Sequence, residues 1–315
     1  MAMHPTIEKM LESARAAGKP ALSAGDPTQA RAQVAAMRAA LGSGPAEVVS
    51  ESLEIPTRAG SMPARLYRPA SEAQGLILYL HGGGWVCGQL DDFDALSRML
   101  AALSGCALLL VDYRLAPEHP FPAGLHDTED GLAWASREGM ARLGRSVPLV
   151  VAGDSAGANL GIAAVLAARG RIPVALQAYF YPVTDSEMAF DSYASFSKGM
   201  PLTRADMRWF FGHYAPASQW SDPRISVLRT PNVGGSPPTW IATAEYDVLR
   251  DEGEKYAHRL MQAGVEVDLH RIEGLPHGFA RLFNLIDTAR DAVTLAASAI
   301  ASQVCFKANP INPAF

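Results

Sequence analysis

The chain has 315 residues, 49% of them hydrophobic, and a formal net charge of −5. That is length for one large domain or two and apolar content for a sizeable core, while the lack of any long run of like charge argues against a nucleic-acid or membrane-surface partner. Three cysteines, Cys87, Cys106 and Cys305, imply neither a disulfide framework nor a zinc site; with no apolar stretch of signal-peptide or bilayer length, the expectation is a soluble, cytoplasmic protein.

The first 45 residues read as helical. Asp26-Pro27 places an N-cap before a proline at the first helical position, and Gly42 closes the segment. Ala30, Val34, Met37 and Leu41 fall on one face of it. The period then changes. Residues 48–53 and 64–67 read as antiparallel strands separated by the turn-rich residues 56–63.

From residue 76 onward strands and helices alternate. Continuous apolar runs at 76–80, 107–111 and 149–152 predict buried strands, as do 175–181, 240–244 and 265–271. Helical patterns fall at 93–104, 127–138, 155–169, 251–263 and 287–303. This alternation predicts an α/β fold, a mostly parallel sheet covered on both faces.

A long insertion, residues 185–235, interrupts the pattern. Within it Thr203-x-x-Asp206 predicts a capping box. Met207, Phe210, Phe211 and Tyr214 follow as a stripe at helical spacing. The stripe suits a helix packed on the core, and it equally suits a lid whose apolar face lines a substrate pocket. The insertion follows a strand end, where open α/β sheets place their ligands. A proline-containing tail begins at Asn309.

The chemistry is concentrated at strand ends. The run Val150-Val151-Ala152 leads into Gly153-Asp154-Ser155-Ala156-Gly157 and then into a helix-forming segment. Gly-x-Ser-x-Gly between a strand and a helix is the nucleophile elbow, a sharp turn that lifts the serine hydroxyl clear of the backbone. Such a serine needs a base, the base needs an orienting acid, and the anion formed needs preset donors. Donors are available after the 76–80 strand, in His81-Gly82-Gly83-Gly84-Trp85. Successive glycines let backbone amides approach a ligand, and the amides of Gly83, Gly84 and Ala156 are the expected oxyanion hole. Among eight histidines, His277 follows the last strand and is placed to reach across the top of the sheet. His81 is assigned to holding its glycine loop. Three acids compete after the 240–244 strand: Asp247 is preferred, Asp251 reads as a helix cap, and Glu245 fits only a shorter strand. The order Ser155, Asp247, His277 is the nucleophile–acid–base order of this class of sheet. No metal or diffusible cofactor is required by such chemistry.

At this point the chain resembles a hormone-sensitive-lipase-type esterase of the α/β-hydrolase fold. The resemblance rests on His81-Gly-Gly-Gly-Trp-Val-Cys-Gly88, Asp112-Tyr-Arg-Leu-Ala-Pro-Glu-His-Pro-Phe-Pro-Ala123, Gly153-Asp-Ser-Ala-Gly157, Asp247-Val-Leu-Arg-Asp-Glu-Gly253 and His277-Gly-Phe279. It covers the chain from about residue 45 to the end. Ala158 stands where a glycine is frequent and Val248 where a proline is frequent. The resemblance implies a helical cap built from residues 1–45 and 185–235 over a catalytic domain of residues 46–184 and 236–315. It implies Ser155, Asp247 and His277 as the triad, ester hydrolysis through an acyl-enzyme, and the dimerisation frequent among relatives; the apolar residues of the insertion, Met207, Phe210, Phe211 and Tyr214, suggest acyl chains of short to medium length. The 112–123 stretch reads as scaffold, with Arg114 and Glu118 as an ion pair. An amidase, formamidase or lactonase on the same triad is an alternative; a non-catalytic small-ligand receptor is disfavoured because His277 is present.

Overall fold

A computed structural model describes residues 2–308; the tail from Asn309 lies outside the described residues. The N-terminal region forms α1 (Pro5–Ala16), α2 (Pro27–Ala36) and α3 (Arg38–Leu41). Asp26 starts α2 as expected: its carboxylate accepts the Gln29 amide, and the Gln29 side chain accepts the Asp26 amide. The 30–41 pattern breaks at Met37, the junction of α2 and α3.

The remaining elements follow the alternation. They are β1 (Val49–Thr57), β2 (Gly60–Arg68), β3 (Leu76–Leu80), α4 (Asp94–Ser104), β4 (Ala107–Val111), α5 (Ala123–Trp134), α6 (Met140–Arg142), β5 (Leu149–Asp154), α7 (Ala156–Ala168), β6 (Leu176–Phe180), α8 (Asp191–Ser195), α9 (Arg204–Tyr214), β7 (Thr239–Tyr246), α10 (Arg250–Gln262), β8 (Val267–Pro276) and α11 (Asp287–Ala308). The strands form one eight-stranded sheet in the order β1-β2-β4-β3-β5-β6-β7-β8. The pairs from β4 to β8 are parallel; β2 runs against both of its neighbours.

The first two strands are longer than their sequence suggests. Residues 56–63 are not a turn region. Thr57 pairs with Gly60, so only Arg58 and Ala59 turn, and Pro56 and Pro63 sit within the ladder. Pro56 is tolerated because β1 is an edge strand, where a missing N–H need break no sheet bond.

The central strands are buried on both sides, and the period-2 alternation of strand side chains divides the core in two. Leu76, Leu78, Leu80, Leu109 and Val151 face one layer, against α5, α7 and α10. Ile77, Tyr79, Leu108, Leu110 and Val150 face the other, against α4 and α11. The parallel arrangement brings the carboxyl ends of β3, β5, β7 and β8 to one rim, and the loops that follow them meet there. No helix among the described residues is long and apolar enough to cross a membrane.

Candidate active site

The turn after β5 is held by close backbone packing. Ser155 adopts φ 54°, ψ −119°, a strained conformation for a residue with a side chain. Its amide donates to Phe180 O (3.0 Å), and its carbonyl accepts the amides of Asn159 (3.1 Å) and Val183 (3.3 Å). The helix that follows runs so near β3 that a Cβ on Gly157 would fall inside contact distance of the carbonyl oxygens of Leu80 and His81. Only glycine permits that approach.

Two later strands bring the other side chains in. Asp247 follows β7 and His277 follows β8. His277 Nδ1 lies 2.7 Å from Asp247 Oδ2, and His277 Nε2 lies 3.0 Å from Ser155 Oγ. A carboxylate accepts, so Nδ1 carries the proton and Nε2 is free to accept the serine hydroxyl. Asp247 is fully buried, and its other oxygen accepts the Leu249 amide (3.0 Å). Glu245 lies within β7 and accepts the Gly274 amide instead (2.7 Å). Asp251 does not cap α10. Its side chain accepts the Ser192 amide (2.8 Å), because α8 packs beside the first turn of α10 and presents an orphan donor there.

The glycine loop folds over the same turn. Gly84 has φ 62°, in the left-handed region, and its face is covered by the Phe210 ring, which a Cβ on residue 84 would penetrate. Among the described residues, the amides of Gly83, Gly84 and Ala156 donate to no protein acceptor. Gly82 is tied down: its amide donates to Asp154 Oδ1 (2.8 Å), which also accepts the Tyr79 hydroxyl (3.0 Å). Burial pushes the Asp154 carboxyl up to about 6. His81 is fully buried and stacked between Tyr113 and Phe93. Its Nδ1 donates to Gly82 O (2.8 Å), and burial lowers its pKa to about 4. A neutral imidazole with that donor engaged holds the loop.

Three participants were not singled out from sequence. Asp154 occupies a variable position of the elbow motif, so its anchoring of Gly82 has no separate signature. Tyr181 follows β6 with φ 36° and places its ring 4.6 Å from that of His277; a tyrosine in left-handed conformation has no sequence signal. Asn159 donates to Val183 O (3.0 Å) and Ile225 O (2.8 Å), tying α7 to the approach to the insertion and to a segment within it.

The insertion is both core and cover. Thr203 and Asp206 form the capping box that starts α9. Met207, Phe210, Phe211 and Tyr214 are all buried. Tyr214 stacks on Trp85 at 4.3 Å, Phe211 lies 5.1 Å from the same indole, and Phe210 covers Gly84. The N-terminal segment joins this layer through Ser23, whose amide donates to Asp206 Oδ1 (3.0 Å). Arg114 and Glu118 do not pair. Arg114 binds Asp127 (2.8 Å), one helical turn inside α5, and Glu118 binds Arg31 of α2 (2.6 Å). The chain brings α2 over the 112–123 loop, a proximity that local sequence cannot contain.

Residues 77–281 match a family model described as alpha/beta hydrolase fold. The chain is similar to a carboxylic ester hydrolase of Mycobacterium tuberculosis, 40% identical over 90% of this chain and 78% of the other. It is similar to an ethyl acetate hydrolase of Pseudomonas putida, 35% identical over 95% and 99% of the two chains. Among solved structures, a hyperthermophilic esterase from Pyrobaculum calidifontis superposes with a TM-score of 0.89 at 35% identity, covering 96% and 99%. A thermostable esterase from Pseudomonas putida gives 0.92 at 29% identity, covering 96% and 98%.

Proposed function

The chain belongs to the alpha/beta-hydrolase fold family, in which its relatives are carboxylic ester hydrolases, and from that premise we propose that Ser155, His277 and Asp247 carry its esterase activity as nucleophile, base and orienting acid. The observation that carries the assignment is the unbroken chain from Asp247 through His277 to Ser155, at 2.7 and 3.0 Å. His277 Nε2 takes the Ser155 proton as Oγ attacks the ester carbonyl, and the anion formed is held by the amides of Gly83, Gly84 and Ala156. Collapse of that intermediate breaks the bond to the alcohol, which leaves with the proton from His277. Water, deprotonated by the same imidazole, then attacks the acyl carbonyl; the bond to Ser155 Oγ breaks, the imidazolium returns its proton to Oγ, and the acid is released. Asp247, buried beneath His277, fixes the tautomer and stabilises the imidazolium.

Residues 1–45 and 185–235 form a cap on the catalytic domain of residues 46–184 and 236–315, a division supported by the Ser23–Asp206 contact and the packing of α9 on the glycine loop. Phe210, seated on Gly84, bounds the acyl side of the site. Phe211 and Tyr214 pack on Trp85 of the glycine loop, and Met207 is buried in the same layer. This favours short- to medium-chain acyl esters. A homodimer is supported by the position of β8 at the end of the strand order and by the exposed Leu295 and Phe306 of α11, and a reducing, cytoplasmic setting by three unpaired cysteines.

The deciding experiment is hydrolysis of p-nitrophenyl butyrate by Ser155→Ala, where turnover is expected to fall on the order of 10⁶-fold. A tenth of wild-type activity in that variant would end the assignment. A panel of esters, amides and lactones separates the esterase from its amidase and lactonase alternatives. Sedimentation of the purified protein tests the dimer.

A further inference from the structure

A single guanidinium on the N-terminal segment grips the glycine loop from outside. Arg31 of α2 donates through Nε to Val86 O (2.8 Å) and through Nη2 to Ala116 O (3.0 Å). Both carbonyls belong to buried residues. Its Nη1 and Nη2 also reach the two oxygens of Glu118 (2.8 and 2.6 Å).

The gripped segments flank the strained part of the loop. Trp85 has φ 61°, unusual for so large a residue, and such a conformation persists only where its surroundings over-determine it. Its carbonyl accepts the Ala116 amide (2.8 Å), while Gly83 O accepts the amides of Val86 (3.1 Å) and Cys87 (2.8 Å). Arg31 therefore fixes the residue after Trp85 and the residue that pairs with Trp85.

Taking Ser155 as the nucleophile and the Gly83 and Gly84 amides as oxyanion donors, we propose that Arg31 is a positioning residue that holds those donors in working geometry from the N-terminal segment. Its planar fork is what the arrangement uses. Two carbonyls and a carboxylate approach from different directions, and a lysine ammonium cannot span them. The Glu118 side chain is 54% exposed and that of Arg31 25%, so the ion pair contributes little to stability by itself; it orients the fork. Productive geometry at the reacting carbonyl thus depends on a helix that contributes no reacting group.

The test compares wild type with Arg31→Met, Arg31→Lys and Glu118→Gln. Arg31→Met is expected to lower kcat by roughly 10- to 100-fold with KM changed by less than about twofold, since small displacements of oxyanion donors act on the transition state. Binding of an alkyl trifluoromethyl ketone, whose adduct with Ser155 occupies the same donors, should weaken by the same factor as kcat/KM. Arg31→Lys keeps the charge but loses the fork, and should behave like Arg31→Met. Glu118→Gln slackens the fork and should cost about threefold, which keeps the test readable if Arg31→Met does not fold. Wild-type kcat and ketone affinity in Arg31→Lys and Glu118→Gln, whatever their melting temperatures, would overturn the proposal. Labelling of Ser155 by an alkyl fluorophosphonate separates the two readings. Unlabelled wild-type Ser155 rejects the esterase mechanism, whereas labelled Ser155 with unchanged turnover in the variants rejects only the role of Arg31.

Discussion

The elbow at the end of β5 and the layer that covers it are built on opposite terms. The elbow is backbone against backbone: Ser155 is bonded to the end of β6 and to the loop after it through its main chain, and Gly157 touches the Leu80 and His81 carbonyls with no space to spare. The covering layer is fastened by side chains, through Arg31 to Val86 and Ala116, Asp206 to Ser23, and Tyr214 on Trp85. Main-chain contacts leave almost no room for substitution, while side-chain contacts permit it. The elbow is therefore expected to tolerate almost no substitution, and the cover to be the part where substrate preference is tuned.

The contrast yields measurable outcomes. The largest effect belongs to His277, the proposed base. His277→Ala should cost on the order of 10⁶ in turnover of p-nitrophenyl butyrate, and Asp247→Asn about 10⁴, because the imidazole then takes the wrong tautomer. Next comes the elbow itself: Gly157→Ala must move strand backbone and should destabilise by more than about 4 kcal/mol, read as loss of folded protein or a large fall in melting temperature. Ordinary thermal behaviour in that variant would erase the contrast.

The third test probes the start of the insertion. Glu252 of α10 is fully buried and accepts the Thr184 (2.7 Å) and Asp185 (3.1 Å) amides at the entrance to the insertion. Burial pushes its carboxyl up to about 8. Because the folded state then holds the proton more tightly than the unfolded chain, its contribution to stability is complete below about pH 4 and is lost as pH rises through about 8. Glu252→Gln keeps the amide acceptor and removes the charge. It should be more stable than wild type at pH 9, by up to about 4 kcal/mol, and indistinguishable near pH 4; urea unfolding at the two values checks this.

Smaller effects belong to the cover. Phe210→Ala opens space over Gly84 and should raise the preference for octanoate over acetate esters by about tenfold, read as a ratio of kcat/KM values. Gly212 lies on the exposed face of α9, where an added Cβ would meet nothing within 4 Å. Gly212→Ala should stabilise by about 0.5–1 kcal/mol, by improving helix propensity and restricting the unfolded chain. A gain there beside a collapse at Gly157 would be the comparison in its sharpest form.

Strand and helix identities were legible because they rest on periodicity and punctuation. The apolar runs at 76–80 and 107–111 became β3 and β4 without change, since a strand buried on both faces must be apolar throughout. The N-cap at Asp26 and the capping box at Thr203 were readable for the same local reason. The meeting of Ser155, Asp247 and His277 was inferred from chain order, because a parallel sheet sends successive loops to one rim. What the sequence could not contain were partners set by approach across the fold. Arg114 turned to Asp127 and Glu118 to Arg31, Asp251 served α8 instead of its own helix, and Pro56 stayed in an edge strand. Local pattern fixed what most segments become, with residues 56–63 the exception. Only the packed structure fixes which donors and acceptors lie within reach of one another across the fold.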